Sequence, residues 1–310
     1  RRSSLGSVNN VLVPSSSLQD TVTLIRGGSG AVVAEKQQRR RIIAIGDIHG
    51  DKNALVRALQ LANLVDQNNN HGMTSWIGGS DIVVQIGDLL NKAEQRDEET
   101  FAYITEIERQ ARAAGGAVAV TVGDHDLHNV PKLWHDMMQL KSKNEYPFPS
   151  WMHAAYIVDR TLFVHGSLSK TVFENNGGSL EEMNGAAEAW LAGRGEKPKW
   201  IGRGDGPIWS RLYSDKASDE HPDCEEAFQL LDELEVDRMI VGHTVRSEGI
   251  SSICNGKVWR IDVGLSKTET RAGKIGACEV LELMRNNNDG GTPIIATILS
   301  TDVKLKSWEQ

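Results

Sequence analysis

A repeated unit constrains this chain more than any other feature: a short apolar run, a glycine–acid stop and a helical pattern, recurring in the first half. Ile42-Ile43-Ala44-Ile45 stops at Gly46-Asp47, and residues 53–65 then place Leu55, Leu59 and Ala62 at helical spacing. Residues 82–86 form a second apolar run that stops at Gly87-Asp88, before an acid-rich helical stretch over 94–114. Residues 117–122 lead in the same way to Gly123-Asp124. Strand, polar loop and helix in alternation predict an α/β fold, with the polar loops gathered on one rim of a sheet. The second half reads differently. It shows a hairpin of 154–158 with 161–164 around Asp159-Arg160, helices at 180–191 and 225–235, and strands at 238–241, 258–263, 278–283 and 293–298. The asparagine-rich stretches 68–70 and 286–288 read as solvated turns, and no repeat of solenoid length is visible.

Residues 41–302 therefore read as one domain, with 303–310 as a tail. Residues 1–40 read as a flexible leader, rich in serine and arginine at the start and closing on a glycine-rich patch. Such a start is compatible with the remnant of an organelle-targeting segment, plastid or mitochondrial, and with an ordinary disordered tail; the default expectation is cytoplasmic and intracellular. Net charge is −8, with acids densest over 215–237, a poor footprint for nucleic acid or an anionic membrane. No apolar run approaches the roughly 18 residues of a membrane span. The three cysteines, Cys224, Cys254 and Cys278, lack metal spacing and read as buried thiols of a reducing compartment. Asp97-Glu98-Glu99 reads as a solvated helix start, and the tryptophans as packing residues.

Asp47 and His49 in Gly46-Asp47-Ile48-His49-Gly50 place a carboxylate and an imidazole just past one strand. Alone, that pair is weak, because Asp in a turn is commonly a cap. Asp88, Asp124 with His125, His165-Gly166 and Gly242-His243 then repeat the same residue types at further strand ends. Mixed carboxylate and imidazole donors suit two divalent ions of the Mn, Fe or Zn kind, with Asp88 the natural bridge.

In these motifs, and in Pro207-Ile208-Trp209-Ser210-Arg211 and Lys257 to Gly264, the chain resembles the Shewanella-like protein phosphatases of the PPP, calcineurin-like metallophosphoesterase superfamily. The resemblance implies a β-sandwich of two mixed sheets flanked by helices. It implies one metal on Asp47, His49 and Asp88, and a second on Asp88, Asp124, His165 and His243, with Mn the metal expected to support activity in vitro. It places His125 as the general acid, with Asn91 and Asp126 supporting it, and Lys92 and Arg211 as the phosphate-binding cations. The implied reaction is attack of a metal-bridging hydroxide on a phosphoprotein or phosphopeptide.

The chain departs from that pattern where the family has GDxxDRG and GNHE. It reads Gly87-Asp88-Leu89-Leu90-Asn91-Lys92-Ala93 and Gly123-Asp124-His125-Asp126, and Ser167 replaces a glycine. An amide at Asn91 supplies no charge to His125, and Lys92 lacks the fork of arginine. Reduced activity is the expectation. A pseudophosphatase that binds metal and partners without turnover, and a dinucleoside polyphosphate hydrolase of the same fold, are the alternatives.

Overall fold

Strands buried on both faces need cover on both sides, and the three motif-bearing runs are of this kind. β1 (Arg41–Ile45), β2 (Ile82–Gln85) and β3 (Ala117–Thr121) are buried along nearly their whole length and pair in parallel, Ile43 opposite Val83 and Val83 opposite Val118. The computed structural model describes residues 40–66, 74–91, 95–127, 152–191, 195–215, 223–266, 278–285, 294–301 and 306–308. The leader at 1–39 lies outside them.

β4 (Met152–His153) extends the parallel set beyond β3, and β10 (Glu279–Arg285), β11 (Ile294–Ser300) and β12 (Lys306–Trp308) continue it antiparallel from β1. This gives a seven-stranded mixed sheet in the order β12-β11-β10-β1-β2-β3-β4. β12 lies in the stretch read as a tail. The second sheet has five strands: β5 (Ala155–Val158), β6 (Thr161–Val164), β7 (Arg238–Val241), β9 (Val258–Arg260) and β8 (Ser251–Ile253), in that order. One continuous apolar core takes Ile43 and Val83 from the first sheet and Phe163 and Ile240 from the second, the sandwich implied by the resemblance.

α1 (Lys52–Leu61) starts where the Asp51 carboxylate accepts the Ala54 N–H, and it buries Ala54, Leu55, Ala58 and Leu59 along one face. It ends earlier than the sequence pattern predicts. The chain turns at Asn63, in a left-handed conformation, and Val65 forms a bridge with Trp76 instead. α2 (Gln95–Ala113) packs against α1 and β3. α3 (Lys170–Asn175), capped by Ser169, packs on α5 (Cys224–Glu233), capped by Asp223; α4 (Leu180–Leu191) lies between them in the chain. β4, β8, β12 and α3 are too short to leave a periodic signal. Among the described residues, no helix is long and apolar enough to cross a membrane.

The cysteine reading needs correction. Cys224, at the start of α5, and Cys254, in the turn between β8 and β9, form a disulfide across 30 residues of sequence. Only the fold brings them together, so spacing gave no sign of it, and the argument for a reducing compartment loses its support. Cys278 is a buried free thiol, as expected. Burial pushes its pKa up to about 11. Thiol titration in denaturant without reductant is therefore expected to count one thiol per chain, and three after reduction. In the folded protein at pH 8 Cys278 should resist alkylation, since burial disfavours the thiolate. Three thiols before reduction would refute the pairing.

Candidate metal centre

Each motif loop leaves its strand on the same rim, and backbone hydrogen bonds tie the loops to one another. The N–H groups of Ile48 and His49 both donate to the Asp88 carbonyl, at 3.0 and 2.8 Å, and Gly50 N–H donates to Leu89. Gly242 N–H donates to the His165 carbonyl at 2.8 Å, joining the loops after β6 and β7. Buried Gln85 donates to the carbonyls of Gly46 and Gly87 and accepts the Gly87 N–H, clamping the ends of β1 and β2. Three candidate ligands, His49, Asp88 and His243, have φ of 47°, 50° and 67°. Left-handed backbone at non-glycine residues costs roughly 1–3 kcal/mol each and persists where the surroundings over-determine it, commonly at functional sites. Glycine is required at Gly123, where a Cβ would overlap the Asp88 carboxylate, and at Gly87, whose φ is +96° and whose Cβ would meet the His165 ring.

The side chains converge. His165 Nε2 lies 3.4 Å from Asp88 Oδ1 and 3.3 Å from Asp124 Oδ1, and His243 Nδ1 lies 2.9 Å from Asp124 Oδ1. Donor atoms of Asp88, Asp124, His165 and His243 all fall within 4.8 Å of one another, and all four residues are buried. His49, Asp88 and His125 form a second such group. Asp47 adjoins it, its Oδ2 4.0 Å from His49 Nε2, and its carboxylate accepts the His243 N–H. Asp88 is common to both groups, the place expected of a bridging carboxylate.

Charge is badly balanced among the protein atoms alone. Burial holds Asp47 well above the usual carboxylate range, and the Asp262 carboxylate adds to this. Burial likewise raises Asp88. Burial also works against the charge on Asp124, but hydrogen bonds from His165 and His243 outweigh it and hold that carboxyl well below the usual range. Burial disfavours a charged His165, yet Asp88, Asp47 and Asp124 lift its pKa to about 10. A buried nest of carboxylates that recruits a proton onto an imidazole fits a site for cations.

His125 stands at the mouth. Its side chain is 18% exposed, against 6% for His49, 3% for His243 and none for His165. Its Nδ1 donates to Asn91 Oδ1 at 3.0 Å, and its backbone N–H donates to Asp88 Oδ1. Arg211 donates from Nη1 to the His243 carbonyl and to Thr244 Oγ1, beside the site. Lys92 lies outside the described residues.

One reading changes. Asp97, expected at a solvated helix start, is fully buried and accepts the Asn91 N–H at 2.8 Å. The Asp126 carboxylate accepts the N–H groups of Leu90 and Gly123 at 2.9 Å, pinning two motif loops, one of which carries His125. Sequence reasoning also missed Gln85 and Asp262 as parts of the site. A polar residue within an apolar strand run was the available signal for Gln85. Trp200 is buried, and Trp209 packs edge-on 6.3 Å from His243 while donating to Ile201.

Fold and site together are those of a metallophosphoesterase. Residues 40–247 match the calcineurin-like phosphoesterase family, and the chain belongs to it. It is 27% identical to Shewanella-like protein phosphatase 2 of Arabidopsis thaliana over 84% of this chain and 78% of that protein. It is 26% identical to Shewanella-like protein phosphatase 1 of Plasmodium berghei, over 73% and 67%. Among solved structures, the cold-active protein-tyrosine phosphatase of a psychrophilic Shewanella superposes with a TM-score of 0.65 at 20% identity, covering 88% of this chain and 81% of that one, which shows the shared fold.

Metal analysis of Mn-loaded protein after gel filtration is expected to give two ions per chain, following the two donor groups. Asp88→Asn should lose most of both, and His243→Ala chiefly one, while each variant keeps its circular dichroism spectrum. Full metal retention by Asp88→Asn would refute the shared carboxylate.

Proposed function

We propose that this protein is a metal-dependent phosphomonoesterase acting on phosphoproteins, slowed at the protonation of the leaving group. The observation that carries this reading is the placing of His125, a partly exposed imidazole beside the four buried donors and within 4.8 Å of donor atoms of His49 and Asp88. Asp47, His49 and Asp88 would hold one divalent cation, and Asp88, Asp124, His165 and His243 the other. Cations bound there would supply Lewis acidity toward phosphoryl oxygens and water. Arg211 and Lys92 would steady the phosphate, Lys92 as a point charge without a planar fork.

With Nδ1 donating to Asn91, His125 can offer a proton only from Nε2. The neutral amide fixes the ring's orientation but contributes no charge to favour the imidazolium, so the acid is weaker than one paired with a carboxylate. A carboxylate at Asp124 also adds negative charge where a phosphate must dock. Both effects reduce turnover, and the first falls hardest on poor leaving groups. The names of the relatives support a protein substrate.

Mn-dependent hydrolysis of p-nitrophenyl phosphate across pH 5–9, a range that brackets a histidine acid at roughly pH 6.5, tests the reading, with Asp88→Asn as the inactive control. Asn91→Asp is expected to raise kcat about tenfold on a phosphoserine peptide, and less on p-nitrophenyl phosphate. Absence of turnover above the control, from folded and metal-loaded protein, would instead make the chain a binding module. Preference for a dinucleoside polyphosphate over the phosphopeptide would point to the nucleotide hydrolase.

A further inference from the structure

Resting on the reading of His125 as the proton donor, we infer that Asp97, at the start of α2, is a positioning residue that sets the donor's geometry through Asn91. Asp97 is fully buried, although it lies in the first turn of a helix whose neighbouring Glu98 and Glu99 are exposed. A buried carboxylate is costly unless it is hydrogen-bonded. The first helical turn lowers that cost, because the helix N-terminus favours negative charge.

Its Oδ1 accepts the Asn91 N–H at 2.8 Å. One residue earlier, the Leu90 N–H donates to Asp126, whose other oxygen accepts the Gly123 N–H from the loop that carries His125. Successive peptide groups of the loop after β2 are thus held by two buried carboxylates, one in the helix and one beside the imidazole. The Asn91 side chain, fixed between them, accepts the His125 Nδ1–H. Asp97 Oδ1 also rests against Gly50, where a Cβ would overlap it, and Thr100, one turn on, donates to the Gly50 carbonyl at 2.8 Å. Gly50 follows His49 directly. The start of α2 therefore sets the register between the loop bearing His49 and the loop bearing Asn91.

This chain needs the anchor because its Asn91 lacks charge. A carboxylate partner would attract an imidazolium from a range of distances, whereas an amide holds the ring only through hydrogen-bond geometry, which weakens steeply when misaligned. Placement of Asn91 by Asp97 therefore bears directly on how the ring is oriented.

The experiment compares Asp97→Ala, Asp97→Asn and Asp97→Glu on p-nitrophenyl phosphate and phenyl phosphate, with metal content and melting temperature measured on each variant. Asp97→Ala is expected to lower kcat about tenfold on phenyl phosphate and less than about threefold on p-nitrophenyl phosphate, with KM little changed, because the worse leaving group depends more on the acid. Asp97→Asn, which still accepts the Asn91 N–H, should recover most of the loss. Asp97→Glu, which keeps the charge but overfills the approach to Gly50, should not. Equal losses on both substrates, or a change in KM alone, would overturn the assignment. The imidazole Nδ1–H of His125, identified in nitrogen-correlated proton spectra by its absence in His125→Gln, gives a readout that needs no turnover. It should exchange slowly in the natural chain and in Asp97→Asn, and rapidly in Asp97→Ala and Asp97→Glu. Unchanged exchange in Asp97→Glu would overturn the proposal even if Asp97→Ala failed to fold. A catalytically silent natural chain that nonetheless showed these exchange differences would sink the phosphatase reading and leave the positioning role standing.

Discussion

The crowding of buried carboxylates around Asp88 is the constraint on which the rest of this structure depends. Asp88 receives the backbone N–H groups of Ile48 and His49 on its carbonyl and that of His125 on its carboxylate, so three loops converge on one residue. That residue and two other candidate ligands sit in left-handed backbone, a cost the surrounding hydrogen bonds must offset. The parallel strands β1, β2 and β3 make the convergence unavoidable, because neighbouring strands in register end side by side on one rim. Cations bound there would relieve the repulsion that the fold concentrates.

The departures from the family pattern share a direction. Asn91 removes charge beside His125, and Asp124 adds charge among the candidate metal ligands, so negative charge has moved from the partner of the proposed proton donor toward the proposed cation site. The donor set itself is intact, and the Asn91–His125 hydrogen bond is present in a geometry an aspartate could also adopt. On the proposed reading, such a chain would hold cations and turn over poor leaving groups slowly.

Legibility in the sequence followed the strength of local signals. Long elements such as α2 and α4, and the largely apolar runs of β1, β2, β3 and β7, were readable because burial imposes a pattern on the residues themselves. Two- and three-residue strands carry too little pattern. The reading of Asp97 failed for a related reason: an acid in a first helical turn is ordinarily solvated, and only the packing of α2 over the Gly50 loop makes this one buried. The pairing of Cys224 with Cys254 was equally invisible, since it joins a helix start to a hairpin turn.

What the sequence determined by itself was the alternation of strands, loops and helices, the family, and the candidate metal-binding residues, because ligand chemistry resides in side-chain type and order. What only the tertiary structure decided was how those residues are held. Asp126 joins two loops through their backbone N–H groups, Gln85 clamps two strand ends, and Asp97 anchors Asn91. Hydrogen bonds of this kind join residues far apart in the chain or on different elements, and their partners are fixed by distances of a few ångströms that a linear pattern does not encode.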